Sequence, residues 1–154
     1  GKGPRWNAAR EAAHRERLLD VMQFAGSVPY DDVPGHLAHA DVGLAPFDPS
    51  AFPALQLGWF WSPIKIFEYL AAGLPVVTAD IEELRTLLQG GVANFYRAAD
   101  PLALAEAIME LEADRAAVRR MSKEARSLAE QRYTWDHQAE AVDDVLNRVL
   151  LAAC

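Results

Sequence analysis

The sequence lacks the features of three common classes of protein. It has a single cysteine, Cys154, so it can form neither an intrachain disulfide framework nor a zinc cluster of cysteines. Its formal net charge of -7 argues against nucleic acid as the main partner, because a phosphate backbone attracts basic surfaces. No apolar run reaches the roughly 20 residues that a membrane-spanning helix needs. These absences fit a reducing cytosol best, and we expect a cytoplasmic protein.

The composition is sufficient for one globular domain. The 154 residues are 51% hydrophobic and 24% charged, the proportions of an ordinary domain with its own apolar core.

The chain opens with "GKGP". If this segment ends a second strand of a doubly wound sheet, the first strand, which lies at the centre of such sheets, precedes Gly1. We therefore expect the sequence to be the later part of a longer polypeptide.

Hydrophobic periodicity alternates between that of strands and that of helices as far as Pro101, and then becomes nearly continuously helical. Strand–helix alternation followed by terminal helices predicts an α/β domain with a mainly parallel sheet. The predicted strands are residues 21–26, 41–47, 75–80 and 92–97. The predicted helices are residues 7–18, 31–40, 62–73, 82–89, 101–112, 115–133 and 134–152. Ser62 and Thr134 are the expected N-cap residues, and Asp31 or Asp32 is expected near the N-cap of its helix.

The segment "SPIKIFEYLAAGLPVV", residues 62–77, contains two charged side chains in an otherwise apolar helix. Glu68 falls between apolar neighbours, where a carboxylate is costly unless it is hydrogen-bonded. Lys65 lies one turn earlier, where a cation opposes the helix dipole. Both features are explained if the helix N-terminus and Lys65 hold a phosphate while Glu68 accepts hydrogen bonds from vicinal hydroxyls.

An ordinary i,i+3 surface ion pair between Lys65 and Glu68 is the alternative. The pattern alone does not separate the two interpretations. The helix follows a buried strand, at the carboxyl edge of the predicted sheet, where ligands bind in open α/β folds. This position favours a ligand.

Other titratable residues have weaker patterns. His36 and His39 are three residues apart on a predicted helix, but they have no carboxylate or cysteine in helical register beside them, so we interpret them as solvated histidines. The pairs Asp31–Asp32 and Asp143–Asp144 are interpreted as caps and surface charge. We expect no bound metal and no cofactor.

The segment "SPIKIFEYLAAGLPVVTAD" resembles the donor-site helix of GT-B fold glycosyltransferases of the family-4-like group. "GKGP" is similar to their G-x-G-P turn, and "VMQFAGSVPYDDVPGHLAHADVGLAPF" is similar to their strand–helix–strand segment before the donor helix. The segment from Asp100 to Arg126 resembles their helical tail, and the closing aromatics of that tail correspond to Tyr133 and Trp135. The matches occur in the same order over nearly the whole chain. The resemblance implies a Rossmann-like domain, one half of a GT-B fold.

The resemblance also implies roles for individual residues. Glu68 would bind the ribose hydroxyls of a nucleoside-diphosphate sugar. The diphosphate would lie near the start of the helix, and the base would lie near the turn that follows the first predicted strand. The residues implied near the diphosphate are Ile64, Lys65 and Ile66, and those near the base are Gly26, Ser27 and Val28. Ser62, at the start of the helix, is a further candidate for substrate binding.

One position departs from the family pattern. Many family members carry a glutamate eight residues before the ribose-binding one, near the donor sugar, and here that position is Phe60. Phe60 is therefore the candidate for the sugar side of the site, and the catalytic residues stay unassigned. Trp59, Phe60 and Trp61 could line the donor pocket, touch a lipid-linked acceptor or pack against a further domain; pocket lining or packing is favoured.

The function implied is transfer of a glycosyl group from a nucleoside-diphosphate sugar to an acceptor hydroxyl. This chain would supply the donor-binding half, and the fragment alone would be inactive. Its partners would be the nucleotide-sugar and an N-terminal domain that binds a lipid-linked or saccharide acceptor and makes any peripheral contact with a membrane. The alternatives are a nucleotide-sugar epimerase of similar fold and a non-catalytic nucleotide-binding α/β module.

Overall fold

The computed structural model describes residues 3–51 and 62–152. The chain divides into two compact units, one up to His36 and one from Leu37 onward. The first unit contains helix α1, a 3-10 turn and most of helix α2: Trp6–Arg15, Tyr30–Asp32 and Val33–Leu37. The elements of the second unit, in chain order, are β1 Gly43–Ala45, α3 Ile64–Ala71, β2 Val76–Ala79, α4 Glu82–Leu87, β3 Ala93–Tyr96, α5 Pro101–Ala113, α6 Arg115–Arg132 and α7 Trp135–Ala152.

The second unit is built on a three-stranded parallel sheet with the order β1-β2-β3. Leu44 is in register with Val77, and Val77 with Asn94. Parallel neighbours require crossover connections, and α3 and α4 supply them. The expectation of an α/β domain with a parallel sheet and C-terminal helices is confirmed.

The central strand β2 is buried along its whole length. The sequence of a strand that is covered on both faces is a nearly continuous apolar run, and "PVVTA" has this pattern. Its one polar side chain, Thr78, is fully buried and donates a hydrogen bond to the carbonyl of Ala45 over 2.7 Å. This bond ties β2 to β1 and satisfies the hydroxyl.

Helix α3 packs against β1, β2 and α6, while α5 packs against β2, β3 and α6. Ile66 and Leu70, one turn apart on α3, are fully buried. They form the apolar face that the periodicity of residues 62–73 predicts. Fully burying side chains of this size stabilises a fold by about 1.5–3 kcal/mol each.

The terminal helices begin at the capping residues that their sequences provide. Asp100 accepts hydrogen bonds from the amides of Leu102 and Ala103 at the start of α5. Asp114 accepts one from Ala117 at the start of α6. Thr134 accepts one from the amide of His137 in the first turn of α7 over 3.3 Å, as predicted. Within residues 3–51 and 62–152, no helix combines the length and hydropathy needed to cross a membrane.

Three local predictions are wrong. Residues 22–26 form no strand and pair with none of the described strands; a short apolar segment becomes a strand only where a neighbour completes its hydrogen bonds. The predicted helix 31–40 is shorter, a 3-10 turn followed by five helical residues, although Asp31 and Asp32 do lie in the first turn, near the N-cap Pro29. Gly35 weakens the helical continuation.

The third correction concerns Ser62. The N-cap of α3 is Pro63, and Ser62 lies one residue before the cap. The carbonyl of Ser62 accepts a hydrogen bond from the amide of Ile64 over 2.9 Å, so the chain makes a tight turn before the helix begins. Pro63 fits this position because its ring fixes φ near the value it adopts here, -79°.

Candidate functional site

The carboxyl ends of the three parallel strands meet at one edge of the sheet. Phe47 and Asp48 follow β1, Asp80 follows β2, and Arg97 follows β3. Helix α3 also begins at this edge, because it follows β1 and returns the chain to the start of β2. Open α/β sheets bind ligands at this edge, so the first turn of α3 lies where a ligand is expected.

The first turn of α3 presents a cation and an exposed apolar side chain. Ile64 is 66% exposed, and Lys65 is also exposed. The Nζ atom of Lys65 lies 5.6 Å from the centroid of the Phe47 ring. Among the described residues, no side chain caps this turn. The N-terminal end of α3 and the Lys65 ammonium therefore combine two features that attract an anion.

Glu68 lies one turn further along α3 and is half-buried. Within the part of the chain that is described, it forms no ion pair with Lys65 or with any other cation. The ordinary i,i+3 pair considered from the sequence is thus not formed, and Lys65 is directed at Phe47. A half-buried carboxylate in this position can accept hydrogen bonds from a ligand.

Tyr69, the residue after Glu68, fixes α3 to β1. Its hydroxyl donates a hydrogen bond to the carbonyl of Leu44 over 3.2 Å. Its ring covers Gly43 so closely that a Cβ atom on Gly43 would lie 2.3 Å from Tyr69 Cδ2. Burial raises the pKa of the Tyr69 hydroxyl, and the charge of Glu68 raises it further.

Helix α6 holds the other end of α3. Ser122 Oγ donates to the carbonyl of Gly73 over 2.6 Å, and the guanidinium of Arg126 donates to the carbonyl of Ala71. Gly73 has a φ of 70°, the left-handed conformation that commonly ends a helix. The carbonyl of Ala71, the last residue of α3, and that of Gly73 just after the helix are therefore satisfied by another helix.

Two carboxylates at the edge are already used within the fold. Asp48 accepts hydrogen bonds from the hydroxyl and amide of Ser50, and the bond from the hydroxyl is the main cause that lowers its pKa. Asp80 is paired with the guanidinium of Arg85, which lowers its pKa, and that guanidinium lies 4.7 Å from the centroid of the Phe95 ring. Glu68 is the carboxylate left available beside Lys65.

The predicted site residues divide between the two units. Ser62, Ile64, Lys65, Ile66 and Glu68 lie together at the start of α3, but the side chain of Ile66 is fully buried, so only its backbone could face a ligand. Gly26, which is buried with a φ of 76°, and Ser27 and Val28 belong to the first unit. Their contact with the base stays a prediction. Phe60 lies outside the described residues.

The sequence matches the model of a protein family described as glycosyl transferase-like, and the match covers residues 2–144. The chain belongs to this family. No curated protein matches the sequence. Among solved structures, sucrose-phosphate synthase from Thermosynechococcus elongatus superposes with a TM-score of 0.78 at 22% identity, over 99% of this chain and 36% of that one.

Family and fold together confirm the resemblance to GT-B glycosyltransferases. This glycosyl transferase-like chain spans 36% of the length of the structure that it matches. The activity of that whole enzyme therefore cannot be assigned to this chain directly. At 22% identity, the structural likeness establishes the fold alone. The assignment to the family-4-like group stays a prediction.

The sequence did not reveal the residues that hold α3 of this glycosyl transferase-like chain in place. Phe47, Ser122 and Tyr133 contact α3 or the residue after its end, and Tyr69, which belongs to α3, contacts β1. Gly43 carried a usable signal, since a glycine inside a predicted strand often marks a close approach. The other contacts join residues distant in sequence, which periodicity does not reveal.

Proposed function

We propose that this chain is the donor-binding part of a glycosyltransferase, and that its α3 helix binds a nucleoside-diphosphate sugar. The observation that carries the proposal is the pair of charged side chains on α3. Lys65 stands in the first turn at the carboxyl edge, and Glu68 stands one turn later without an ion-pair partner among the described residues. Membership of a glycosyl transferase-like family supports the class of ligand.

The chemistry of the ligand fits the two side chains. The diphosphate carries negative charge, which the N-terminal end of α3 and Lys65 would stabilise. The ribose has two adjacent hydroxyls, which can both donate to the carboxylate of Glu68, and hydrogen bonds to a charged acceptor are about twice as strong as neutral ones. Phosphate and ribose are neighbouring parts of one nucleotide, as Lys65 and Glu68 are neighbours on one helix face.

The reaction would transfer the glycosyl group from the diphosphate to an acceptor hydroxyl. In this scheme the chain holds the leaving group: Lys65 and the start of α3 would stabilise the negative charge that grows on the diphosphate as the glycosidic bond breaks. The acceptor and the remaining groups would come from a further domain. The 36% coverage of the matched structure supports this division.

Calorimetric titration of the chain with UDP, ADP and GDP, and with the three parent nucleosides, tests the proposal. At least one diphosphate should bind, and it should bind more tightly than its nucleoside. Failure of all three diphosphates would contradict a donor site. We further expect no sustained transfer when the chain is incubated with a panel of nucleotide-sugars and crude acceptors; turnover above background would contradict the division into two domains.

A further inference from the structure

Helix α3 can reach its position on the sheet only because residue 43 has no side chain. A Cβ atom added to Gly43 would lie 2.3 Å from Cδ2, 2.5 Å from Cγ and 2.9 Å from Cε2 of Tyr69. These atoms belong to a ring, which cannot bend away from the contact. The ring therefore rests directly on the backbone of β1 at its first residue.

The contact is much closer than at five other described glycines. A Cβ atom on Gly3, Gly35, Gly90 or Gly91 would meet nothing within 4 Å, and one on Gly73 would come no closer than 3.5 Å to its neighbours, an ordinary contact distance. Gly43 is not among the residues with positive φ, so its backbone conformation does not require glycine. Only the close approach of Tyr69 does.

Tyr69 also makes the contact directional. The apolar side chains of Ile66 and Leu70 hold α3 on the sheet, but apolar packing alone tolerates small rotations of a helix about its axis. The hydrogen bond from the Tyr69 hydroxyl to the Leu44 carbonyl has a preferred angle and length. Ring contact and hydrogen bond together define the rotation of α3 at one residue.

That rotation determines where Glu68 points. Glu68 and Tyr69 are consecutive on the helix, so their side chains are separated by a fixed angle of about 100°. A helix that rolled to relieve a clash at Tyr69 would carry the carboxylate of Glu68 and the ammonium of Lys65 with it. A rigid support of this kind is what a binding site requires, since hydrogen bonds weaken steeply with misalignment.

We propose that Tyr69, seated on Gly43, is the positioning residue that orients Glu68 and Lys65 toward a nucleoside diphosphate. The inference rests on the function proposed above. It assigns Tyr69 no contact with the ligand; Tyr69 would act through the helix that it fixes.

The test is a cycle of variants titrated with whichever of UDP, ADP and GDP binds the wild-type chain best. The variants are Gly43→Ala, Tyr69→Ala, the double variant and Tyr69→Phe, with Gly35→Ala as the matched control because its new methyl group meets nothing within 4 Å. Calorimetry separates two effects. A merely structural role would lower the fraction of molecules that bind and leave the Kd of the folded ones unchanged, whereas a positioning role raises that Kd.

We expect Gly43→Ala to raise the Kd about tenfold or more, the effect of losing one hydrogen bond to a charged group. Tyr69→Ala should raise it too, and adding Gly43→Ala to Tyr69→Ala should change it no further, because alanine lacks the Cγ, Cδ2 and Cε2 atoms that the new methyl group would meet. Tyr69→Phe, which keeps the ring, should lie between wild type and Tyr69→Ala. Gly35→Ala should match wild type.

Two results would overturn the inference in different ways. An unchanged Kd in Gly43→Ala and Tyr69→Ala, with only a lower binding stoichiometry or a lower Tm, would show that the contact has only a structural role, while leaving the proposed function intact. Absence of binding by the wild-type chain would refute the proposed donor site itself and with it the role assigned to Tyr69.

Discussion

The ammonium of Lys65 lies 5.6 Å from the centroid of the Phe47 ring. A cation over an aromatic face is stabilised by about 0.5–1 kcal/mol at an exposed site. A cation in the first turn of a helix is disfavoured by a similar amount, about 0.3–1 kcal/mol. The two effects oppose each other, so Lys65 can occupy an unfavourable helix position at little net cost to the stability of the fold.

Removing the charge of Lys65 should therefore weaken ligand binding while leaving the stability of the fold almost unchanged. Lys65→Gln should change the stability of the empty chain by less than about 1 kcal/mol in either direction. The same change should weaken the binding of a nucleoside diphosphate by about 1.5–3 kcal/mol, the range for a hydrogen bond to a charged group. The parent nucleoside should bind as before. Thermal unfolding with and without each ligand measures both effects, because a ligand that binds only the folded state raises its stability.

Lys123→Gln is the matched control, since Lys123 is exposed on α6 and has no role in the proposed site. It should leave diphosphate binding unchanged. An equal loss of affinity for nucleoside and diphosphate in Lys65→Gln would show that Lys65 does not contact phosphate.

Glu68 provides an independent test through the ribose. Glu68→Ala should cost about 1.5–3 kcal/mol of nucleotide binding, because a charged acceptor of hydrogen bonds is removed. A 2′,3′-dideoxy nucleotide should bind the wild type about as weakly as the ordinary nucleotide binds the variant, and the variant should not distinguish the two nucleotides. Glu106→Ala, at an exposed carboxylate of α5, is the control. A variant that loses affinity equally for both nucleotides would indicate that Glu68 acts through folding.

The fold was predictable where the local pattern and the tertiary environment agree. The apolar run around Val76 and Val77 is buried on both faces, so its composition indicates a central strand directly. The terminal helices begin at Asp100, Asp114 and Thr134, whose short polar side chains cap helices. The strand predicted at residues 21–26 is wrong because pairing, which a sequence does not display, decides whether an apolar segment becomes a strand.

The candidate site was predictable in part for a similar reason. Lys65 and Glu68 are anomalous in an apolar helix, and an anomaly is visible in the sequence. The contact of Tyr69 with Gly43 joins residues 26 positions apart, and both are ordinary residue types taken singly. The Lys65–Phe47 contact depends on the path of the chain after β1, which the pattern of residues 41–47 does not specify.

Tyr133 should stabilise the second unit through two separable contacts. Its ring centroid lies 5.0 Å from that of Phe67 on α3, and its hydroxyl donates to the carbonyl of Leu87 at the end of α4 over 2.7 Å. Tyr133→Phe keeps the ring and should cost about 0.5–1.5 kcal/mol for the lost hydrogen bond. Tyr133→Leu should cost a further 0.5–1.5 kcal/mol or so, because the aromatic pair is lost as well.

Urea denaturation measures both variants, since stability falls linearly with denaturant concentration. Tyr30→Phe is the control, because Tyr30 is 80% exposed and its change should leave the midpoint in place. Equal midpoints for Tyr133→Phe and wild type would mean that the hydrogen bond from the Tyr133 hydroxyl to Leu87 contributes nothing to stability.

Asp100 should make the stability of the second unit decrease at low pH. The amide of Ala103 is the main cause that lowers the pKa of Asp100, and the guanidinium of Arg97 is the next. A carboxylate whose pKa is lower in the folded state stabilises the fold above the unfolded pKa, about 3.9. That stabilisation is lost as the pH falls through the folded pKa.

Asp100→Asn isolates this contribution, because asparagine can cap the helix through its carbonyl but carries no charge. We expect the wild type to have the higher Tm at pH 7 and the difference between the two proteins to close as the pH falls below about 4. Circular dichroism melting curves between pH 7 and pH 2.5 measure the difference, in which the titration of all other carboxylates cancels. Arg97→Gln should keep most of the pH dependence, since the amide of Ala103 is the larger cause. A Tm difference that stays constant over this pH range would show that the carboxylate charge of Asp100 does not stabilise α5.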